Sequence, residues 1–462
     1  MLCVGGACLL LFGACSSDAT PSAAAPVVGG VSTLPVAIRG GARLEARFDS
    51  FGPVGEVFRT FYDTKLGIEC HMLAASDGAT RCLPAATYSA EDVFSDASCE
   101  TRLVVAPRAP CKPSTFAAAT TPCPSTTKIH ALAGETRPAV VYSRGTTGEC
   151  APQPIDVDTT YYGLGDEVPP TEFVATKPKV FTDEGLSTVM LDGDDGSRAF
   201  GVFRDAKRNA DCTPRTLLDE SVRCVPVDAA TVASVVFADA QCAVRGAATV
   251  ACKEPLVAVE ADACGGRAKV FAVGPRVKSP SSGTKAACAP LGSSPRVYPV
   301  GGELAPADLP RVFEVPPPRD YRIYETRWSA PGGPIGKGLY DAEKQTECQV
   351  SLAEDGKRRC LPTSLGPVSA YADAACTRAV VFAPCGGAPS PFAYEYADPN
   401  ASCSRNLRIR KRGVKVDVPS LFVRGDGGGC APRAKPTGAV DSYEVGETVP
   451  AAEFVEAVDL KR

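Results

Sequence analysis

The feature that most constrains this chain is a cysteine-containing phrase that occurs three times. Its three forms are YDTKLGIEC with RCLP, FRDAKRNADC with RCVP, and YDAEKQTEC with RCLP. A second phrase, in which an aromatic residue precedes x-Asp-Ala-x-Cys, follows in each copy as FSDASC, FADAQC and YADAAC. The spacing indicates an internal repeat with a period of about 140 residues. We therefore divide the folded part into copies spanning residues 41–177, 178–316 and 317–458.

The cysteines follow the same register, with six in each copy. They are Cys70, Cys82, Cys99, Cys111, Cys123 and Cys150, then Cys212, Cys224, Cys242, Cys252, Cys264 and Cys288, then Cys348, Cys360, Cys376, Cys385, Cys403 and Cys430. An even number in every copy predicts disulfide pairing that is complete within the copy, although six cysteines allow fifteen connectivities. The other three of the 21 cysteines, Cys3, Cys8 and Cys15, lie near the N-terminus.

Among the fifteen connectivities we favour pairing of neighbours, first with second, third with fourth and fifth with sixth. The first two cysteines of a copy enclose an Asp-Gly turn in two copies, at Asp77-Gly78 and at Asp355-Gly356. Such a turn folds a hairpin back on itself and brings its flanks within disulfide reach.

The amino-acid composition indicates in which compartment the protein folds and which cofactors it could bind. So many cysteines without CxxC pairs favour disulfides in an oxidising compartment over metal or redox chemistry. With His71 and His130 as the two histidines, mixed Cys/His sites are also disfavoured, so we expect no metal or other cofactor. The chain has 49 basic and 53 acidic residues, a balance that gives no reason to expect a nucleic-acid partner.

The N-terminal segment predicts export. MLCVGGACLLLFGAC has an apolar run that ends in small residues before Cys15 and resembles a lipoprotein signal peptide. This resemblance implies a signal at residues 1–15 and acylation of Cys15, which would anchor the chain in a membrane. Residues 16–40, rich in Ala, Pro and Ser, are typical of a flexible tether. An ordinary cleavable secretory signal is the alternative. We expect an exported protein, lipid-anchored at the outer membrane or cell surface.

The repeat itself predicts an all-β fold. Each copy holds about eight short β-type runs separated by turns, and helical signals are limited to single turns at PPTEFV and PAAEFV. Two four-stranded blades per copy would close a six-bladed β-propeller. The alternative is three tandem β-sandwich or barrel domains.

The phrase pattern of YD, Cys, DG, RCLP, aromatic-x-Asp before Cys and a closing YxVG-like phrase resembles the uncharacterised Cys-rich repeat lipoproteins of myxobacteria. The resemblance covers nearly the whole chain after the signal. It implies a cell-envelope protein of unknown function and supplies no substrate and no catalytic residues.

For each candidate catalytic or metal-binding residue, a structural role is weighed against the functional one. Neither histidine lies in a nucleophile-elbow context. The repeated carboxylates are interpreted as turn formers, with acid–base or calcium chemistry as the alternative, and the repeated arginines are expected to pair with them. These residues are Asp63, Asp205 and Asp341, then Asp96, Asp239 and Asp373, and the arginines Arg81, Arg223 and Arg359. LDGDDG at 191–196 could hold calcium but lacks EF-hand spacing. The Arg-Gly-Asp tripeptide at 424–426 is interpreted as coincidence.

One basic segment has no counterpart in the other copies. RNLRIRKRGVK at 405–415 contains Arg405, Arg408, Arg410, Lys411, Arg412 and Lys415. Alternation with Leu407 and Ile409 would make one face of a strand positive. It is interpreted as a solvated strand face, or as a contact for an anionic polymer.

The sequence thus predicts a non-enzymatic binding or scaffold protein of the cell envelope, with a polysaccharide or a protein as partner. An envelope glycosidase-like hydrolase is the second hypothesis, because propellers host carboxylate-based hydrolysis. A purely structural spacer is the third.

Overall fold

A computed structural model describes residues 38–462, except for short internal gaps. The gaps are residues 53–54, 91–92, 108–113, 124, 146–147, 156–158, 263–265, 292–294, 319, 364–367, 369, 385–389, 398–405, 425–428 and 436–439. The predicted signal and most of the tether, including Cys15, lie outside the described residues. So do Cys111, Cys264, Cys385, Cys403, Arg405 and two residues of the Arg-Gly-Asp tripeptide.

The described elements are β-strands and three single turns of 3-10 helix. In the first copy they are β1 (Leu44–Ser50), β2 (Glu56–Asp63), β3 (Ile68–Ala74), β4 (Thr80–Pro84), β5 (Tyr88–Ser89), β6 (Val93–Phe94), β7 (Leu103–Pro107), β8 (Phe116–Pro122), β9 (Ser125–Thr136), β10 (Val141–Arg144), β11 (Cys150–Gln153), β12 (Thr159–Glu167) and the 3-10 helix η1 (Pro170–Glu172). In the second they are β13 (Thr176–Asp183), β14 (Leu186–Gly193), β15 (Arg198–Asp205), β16 (Ala210–Thr216), β17 (Val222–Pro226), β18 (Ala230–Phe237), β19 (Arg245–Thr249), β20 (Val257–Ala261), β21 (Ala268–Val273), β22 (Ser281–Thr284), β23 (Ala287–Pro290), β24 (Arg296–Glu303) and η2 (Pro306–Asp308). In the third they are β25 (Phe313–Glu314), β26 (Ile323–Ser329), β27 (Ile335–Asp341), β28 (Thr346–Leu352), β29 (Arg358–Pro362), β30 (Ala370–Tyr371), β31 (Ala379–Pro384), β32 (Phe392–Tyr396), β33 (Leu407–Val416), β34 (Leu421–Arg424), β35 (Cys430–Arg433), β36 (Val440–Val449), η3 (Ala451–Glu453) and β37 (Val458–Lys461).

The first half of each copy forms a five-stranded antiparallel meander. The strand orders are β37-β1-β2-β3-β4, β13-β14-β15-β16-β17 and β25-β26-β27-β28-β29. The edge strand of each meander follows the 3-10 turn of the preceding segment. For the first meander this edge is β37, from the end of the chain, which pairs with β1 over Arg47↔Lys461 to Ser50↔Val458. The last strand therefore completes the first sheet.

The three meanders pack against one another in a closed cycle. Alternate residues at the start of β1 point inward, and Leu44 and Ala46 there are fully buried. Ala199 of the second meander packs in the core of the first, Ile335 of the third in the core of the second, and Phe51 beside β1 against the core of the third. Each meander thus shares core contacts with both others, which makes the described chain one compact unit.

The second half of each copy forms a different kind of sheet. In the second copy the order is β19-β24-β21-β20-β18-β22-β23, and β18 also pairs with β19, so five of these strands form a closed sheet. The pairing of β18 with β20 is parallel, as is that of β5 with β8 in the first copy. A hairpin extends each of these sheets or lies beside it: β10/β11, β22/β23 and β34/β35.

The prediction of an all-β fold is confirmed, and the six-bladed propeller is not. A propeller needs two up-and-down blades per copy, whereas in the described chain each meander is followed by sheets in which neighbouring strands are not consecutive in sequence, such as β5-β8-β9-β12-β7. In the described part of the first copy there are twelve strands, β1 to β12, rather than about eight. The 3-10 turns at PPTEFV and PAAEFV are as predicted.

Seven disulfides join fourteen of the cysteines in the described part of the chain. They are Cys70–Cys82, Cys99–Cys150, Cys123–Cys252, Cys212–Cys224, Cys242–Cys288, Cys348–Cys360 and Cys376–Cys430. The first-to-second pairing is confirmed in all three copies. The third cysteine, however, pairs with the sixth, so neighbour pairing is wrong there.

The physical reason is the position of the hairpin that carries the sixth cysteine. Strand β10 pairs with β6, Tyr142 opposite Phe94, and so brings Cys150 to the turn that contains Cys99. The prediction of pairing complete within each copy is also wrong, because Cys123 of the first copy bonds Cys252 of the second. Disulfides on this scale are typical of exported proteins. Within the described residues, no helix is long and apolar enough to span a bilayer.

Candidate functional site

The first set of repeated aspartates forms buried ion pairs. The carboxylate of Asp63 lies 2.6 Å from Arg43 Nη2 and accepts hydrogen bonds from the backbone N–H groups of Lys65 and Leu66. Asp341 makes the same contacts with Arg322 and with the two equivalent N–H groups. In the second copy Arg208, three residues after Asp205, replaces the missing arginine. These carboxylates are at most 1% exposed.

These ion pairs connect each meander to the 3-10 turn beside it. Arg43 donates to the carbonyl oxygen of Glu172 in η1, and Arg322 donates to that of Glu453 in η3. Because every carboxylate oxygen has a partner, the arrangement stabilises a turn and leaves no free acid or base. The interpretation of these residues as turn formers accounts for all the contacts.

The repeated arginines do not pair with the aspartates we expected. Arg81 pairs with Asp77 at 2.8 Å and donates to the carbonyl of Phe173, and Arg359 pairs with Asp355 at 2.7 Å. Arg223 donates to Ser221 and to the carbonyl of Leu309. The expectation is wrong because each arginine lies on a meander strand whose own turn supplies the nearer acceptor. The pKa of Asp77 is lowered mainly by its hydrogen bond from Arg81.

The second set of aspartates caps a turn. Asp96 accepts hydrogen bonds from the Ser98 hydroxyl and from the N–H groups of Glu100 and Thr101. These bonds, the one from Ser98 first, lower the pKa of Asp96. Asp373 is held in the same way by the backbone of Thr377 and Arg378, and Asp239 by that of Ala243 and Val244. The turns place Cys99, Cys242 and Cys376 at positive φ for their disulfides.

The remaining candidates from the sequence are dispersed. His71 is exposed on β3, and His130 Nδ1 lies 3.0 Å from the carbonyl oxygen of Gly165. In LDGDDG, Asp192 pairs with Arg198, and Asp195 accepts hydrogen bonds from the N–H groups of Arg43 and Leu44. Among the described residues no cluster of three His, Cys, Asp or Glu side chains has metal-binding geometry.

The basic segment is largely neutralised by neighbouring carboxylates. Arg408 pairs with Glu354 and Glu395, Arg410 with Glu395, Lys411 with Glu447 and Lys415 with Asp441. The guanidinium of Arg412 lies over the Tyr443 ring, 4.5 Å from its centroid. Most of the positive charge on β33 is therefore already paired with carboxylates. This favours the interpretation of the segment as a solvated strand face over its interpretation as a contact for an anionic polymer.

A groove in the third copy is lined by two tyrosines together with polar side chains. It occupies about 330 Å³ where β28 meets β32 and β33. Its lining consists of Gln349, Ser351, Leu352, Tyr394, Tyr396 and Leu407. Tyr396 is 43% exposed and Leu352 is 42% exposed. The two tyrosine rings meet edge to face with centroids 6.1 Å apart, a geometry that aromatic pairs favour.

The polar atoms of the groove are available to a ligand. No described residue hydrogen-bonds the side chain of Gln349 or Ser351, and both project from β28 on the side of the groove. Burial, and then the neighbouring Tyr396, raise the pKa of Tyr394, so its hydroxyl is protonated and able to donate at neutral pH. Flat apolar rings beside uncommitted amide and hydroxyl groups suit a ligand with both apolar faces and polar edges.

The tyrosines are specific to the third copy. Strand pairing aligns Tyr394, opposite Ile409, with Ala118, opposite Ile129, and with Val259, opposite Val270. Two residues on, Thr120 and Ala261 occupy the position of Tyr396. Since the other copies fold with small residues here, the aromatic pair is not needed for folding.

Sequence comparison places the chain in a family. A family model described as a family of unknown function, DUF7481, matches residues 29–365 and again residues 289–456. The chain belongs to this family. The two matches overlap across residues 289–365, which is consistent with the internal repetition. No curated protein and no solved structure matches the chain.

Sequence reasoning missed the groove although a signal was present. In FAYEY, aromatic residues two apart must project from the same face of a strand. Comparison with FAAAT and VAVEA at the equivalent positions of the other copies would have singled the tyrosines out. The contribution of β28 was not visible, because Gln349 lies 45 residues before Tyr394 and meets it only through the sheet contact at Ala353↔Leu407.

Proposed function

We propose that the chain is a lipid-anchored binding protein of the cell envelope and that the groove formed by β28, β32 and β33 binds saccharide units of a surface polysaccharide. The observation that carries the proposal is the tyrosine pair, which is absent from the other two copies and lies beside Gln349 and Ser351, whose side chains no described residue hydrogen-bonds.

Sugar rings fit this lining chemically. They have C–H faces that pack on aromatic rings and hydroxyl edges that exchange hydrogen bonds with amide and hydroxyl side chains. Tyrosine supplies both kinds of contact with little loss of conformational entropy, since its side chain has two rotatable angles. The half-exposed Tyr396 provides an accessible stacking face, while partly buried Tyr394 defines the floor.

The setting supports a binding role. The disulfides suit a compartment outside the cytoplasm, and the core shared by three meanders gives a rigid support. Acylation of Cys15 in an outer-membrane lipoprotein would anchor the chain, with residues 16–40 as tether. The repeated aspartates are held in ion pairs and turns, so we propose binding without catalysis.

Glycan-array binding tests the proposal. The chain from residue 16 onward should retain a set of polysaccharide fragments, and Tyr396→Ala should reduce retention about tenfold, because a central tyrosine contact is worth more than about 1 kcal/mol. Tyr321→Ala is the matched control, since Tyr321 is 40% exposed in the same copy but lies outside the groove. Absence of binding by the parent chain, or equal loss in both variants, would contradict the proposal.

The anchor is tested separately. Cells that express the full chain are fed a labelled fatty acid, and label is expected in the parent and not in Cys15→Ala. Equal labelling of both chains would refute acylation at Cys15. This result is independent of the binding assay, which uses the chain without its signal.

A further inference from the structure

The second copy contains a cleft lined by positively charged side chains and by no acidic ones. It occupies about 280 Å³ between the segment that leads into β22, the hairpin β22/β23 and the start of β24. Arg276, Lys278 and Arg296 line it together with the serines Ser279 and Ser281, and no carboxylate is among its lining residues. The volume lies near the lower end of small-molecule sites, which start at about 300 Å³.

The cations are available for a ligand. Arg276 and Lys278 are exposed, and neither forms an ion pair with any residue that the structure describes. Arg296 donates long hydrogen bonds to the carbonyl oxygens of Cys252, at 3.5 Å, and Lys253, at 3.4 Å, and forms no ion pair with a described residue. Three positive groups around one cleft repel each other and favour an anion between them.

In the equivalent cleft of the third copy, the positive side chains are paired with carboxylates. It occupies about 330 Å³ beside the hairpin β34/β35. Lys415 there pairs with Asp441 at 2.7 Å, and Lys435 lies 3.8 Å from Asp417. The fold therefore forms this cleft with or without excess positive charge, and the cations that line it in the second copy are not a folding requirement.

The walls of the cleft are held in place. The disulfide Cys242–Cys288 joins its two sides, next to the lining residues Ala240 and Pro290. The N–H of Leu291 donates to the carbonyl of Pro280 at 2.8 Å, and the N–H of Val277 donates to that of Val297 at 2.9 Å. A site held by covalent and backbone bonds loses little entropy on binding.

We propose that this cleft binds a small molecule that carries an oxyanion, a carboxylate or a phosphate, on a sugar-sized frame. Arginine offers paired N–H donors that match a carboxylate or phosphate, and lysine adds a mobile positive charge. The serine hydroxyls supply contacts for the neutral part of the ligand. This site is separate from the tyrosine groove, so either can fail without the other.

Isothermal titration calorimetry of the chain from residue 16 onward tests the site, with sodium glucuronate, glucose 6-phosphate and glucose as probes. At least one anionic probe should bind and glucose should not. The double variant Arg276→Gln/Lys278→Gln should weaken that binding at least tenfold. The charge-matched control Lys207→Gln/Lys285→Gln, with two exposed lysines outside the cleft, should bind as the parent does.

The two anionic probes distinguish the oxyanion, since preference for glucuronate indicates a carboxylate and preference for glucose 6-phosphate a phosphate. Binding should also weaken as salt rises from about 50 to about 500 mM, because these cations are exposed. Lack of binding by both anionic probes, binding of glucose with equal affinity, or equal binding by the cleft variant would overturn the proposal. The thermal unfolding midpoint of each variant is measured as well, and a midpoint equal to that of the parent excludes a folding defect.

Discussion

Replacing Asp63 with alanine should destabilise the protein by about 3–5 kcal/mol, the usual cost of removing one partner of a buried ion pair. The Asp63 side chain is 0% exposed, and its oxygens accept two bonds from Arg43, at 2.8 and 2.6 Å. The change also removes the acceptor of the N–H groups of Lys65 and Leu66. Because Arg43 is 21% exposed and regains some hydration, we expect the lower half of the range.

Asp77→Ala is the control, because Asp77 also pairs with an arginine in the same copy but is 35% exposed. Exposed pairs contribute about 0.2–1 kcal/mol, so this variant should remain close to the parent. Guanidinium unfolding, followed by circular dichroism and by the fluorescence of the single tryptophan, gives both free energies of unfolding. A loss below about 1 kcal/mol for Asp63→Ala, or losses of equal size in the two variants, would refute the structural role of the repeated aspartates.

Three further predictions concern closure, acid stability and disulfides. Deleting residues 457–462 removes β37 from the edge of the first meander, and we expect a lower unfolding midpoint and faster amide exchange in β1; unchanged exchange there would refute closure. The pKa values of Asp96 and Asp373 are lowered in the folded state, so their contribution is present above the unfolded pKa of about 3.9 and is lost on acidification below it. The thermal unfolding midpoint should therefore stay constant from pH 7 to pH 5 and decrease when the pH is lowered below about 4. The decrease should be smaller in the double variant Asp96→Asn/Asp373→Asn, and equal decreases in parent and variant would contradict this. Peptide mapping without reduction should recover Cys123 linked to Cys252, and recovery of Cys123 linked within its own copy would contradict the structure.

The comparison of sequence and structure shows which features are local. Cys70 and Cys82 flank one hairpin, so their pairing could be predicted from the turn between them. The partner of Cys99 is 51 residues away and is set by the docking of β10 on β6, which no local pattern encodes. Closure through β37 is likewise a contact between the ends of the chain.

The candidate sites follow the same division. The alternation of Tyr394 and Tyr396 is visible in the sequence, whereas their approach to Gln349 depends on the contact between two sheets. The basic segment is visible in the sequence as a run of charge, whereas the carboxylates that neutralise it, such as Glu354, come from distant parts of the chain. The cations of the cleft in the second copy are too dispersed to form a run, and Arg296 joins them only through folding.

Nuclear magnetic resonance of tyrosine rings tests the central claim most directly. The chain from residue 16 onward is labelled with carbon-13 in its tyrosine rings and titrated with the polysaccharide fragment best retained on the array. Signals of Tyr394 and Tyr396, assigned with phenylalanine variants, should shift in proportion to binding, while that of Tyr321 should stay in place. Binding that leaves both groove signals unchanged, or that shifts the Tyr321 signal instead, would contradict the assignment of the groove as the saccharide site.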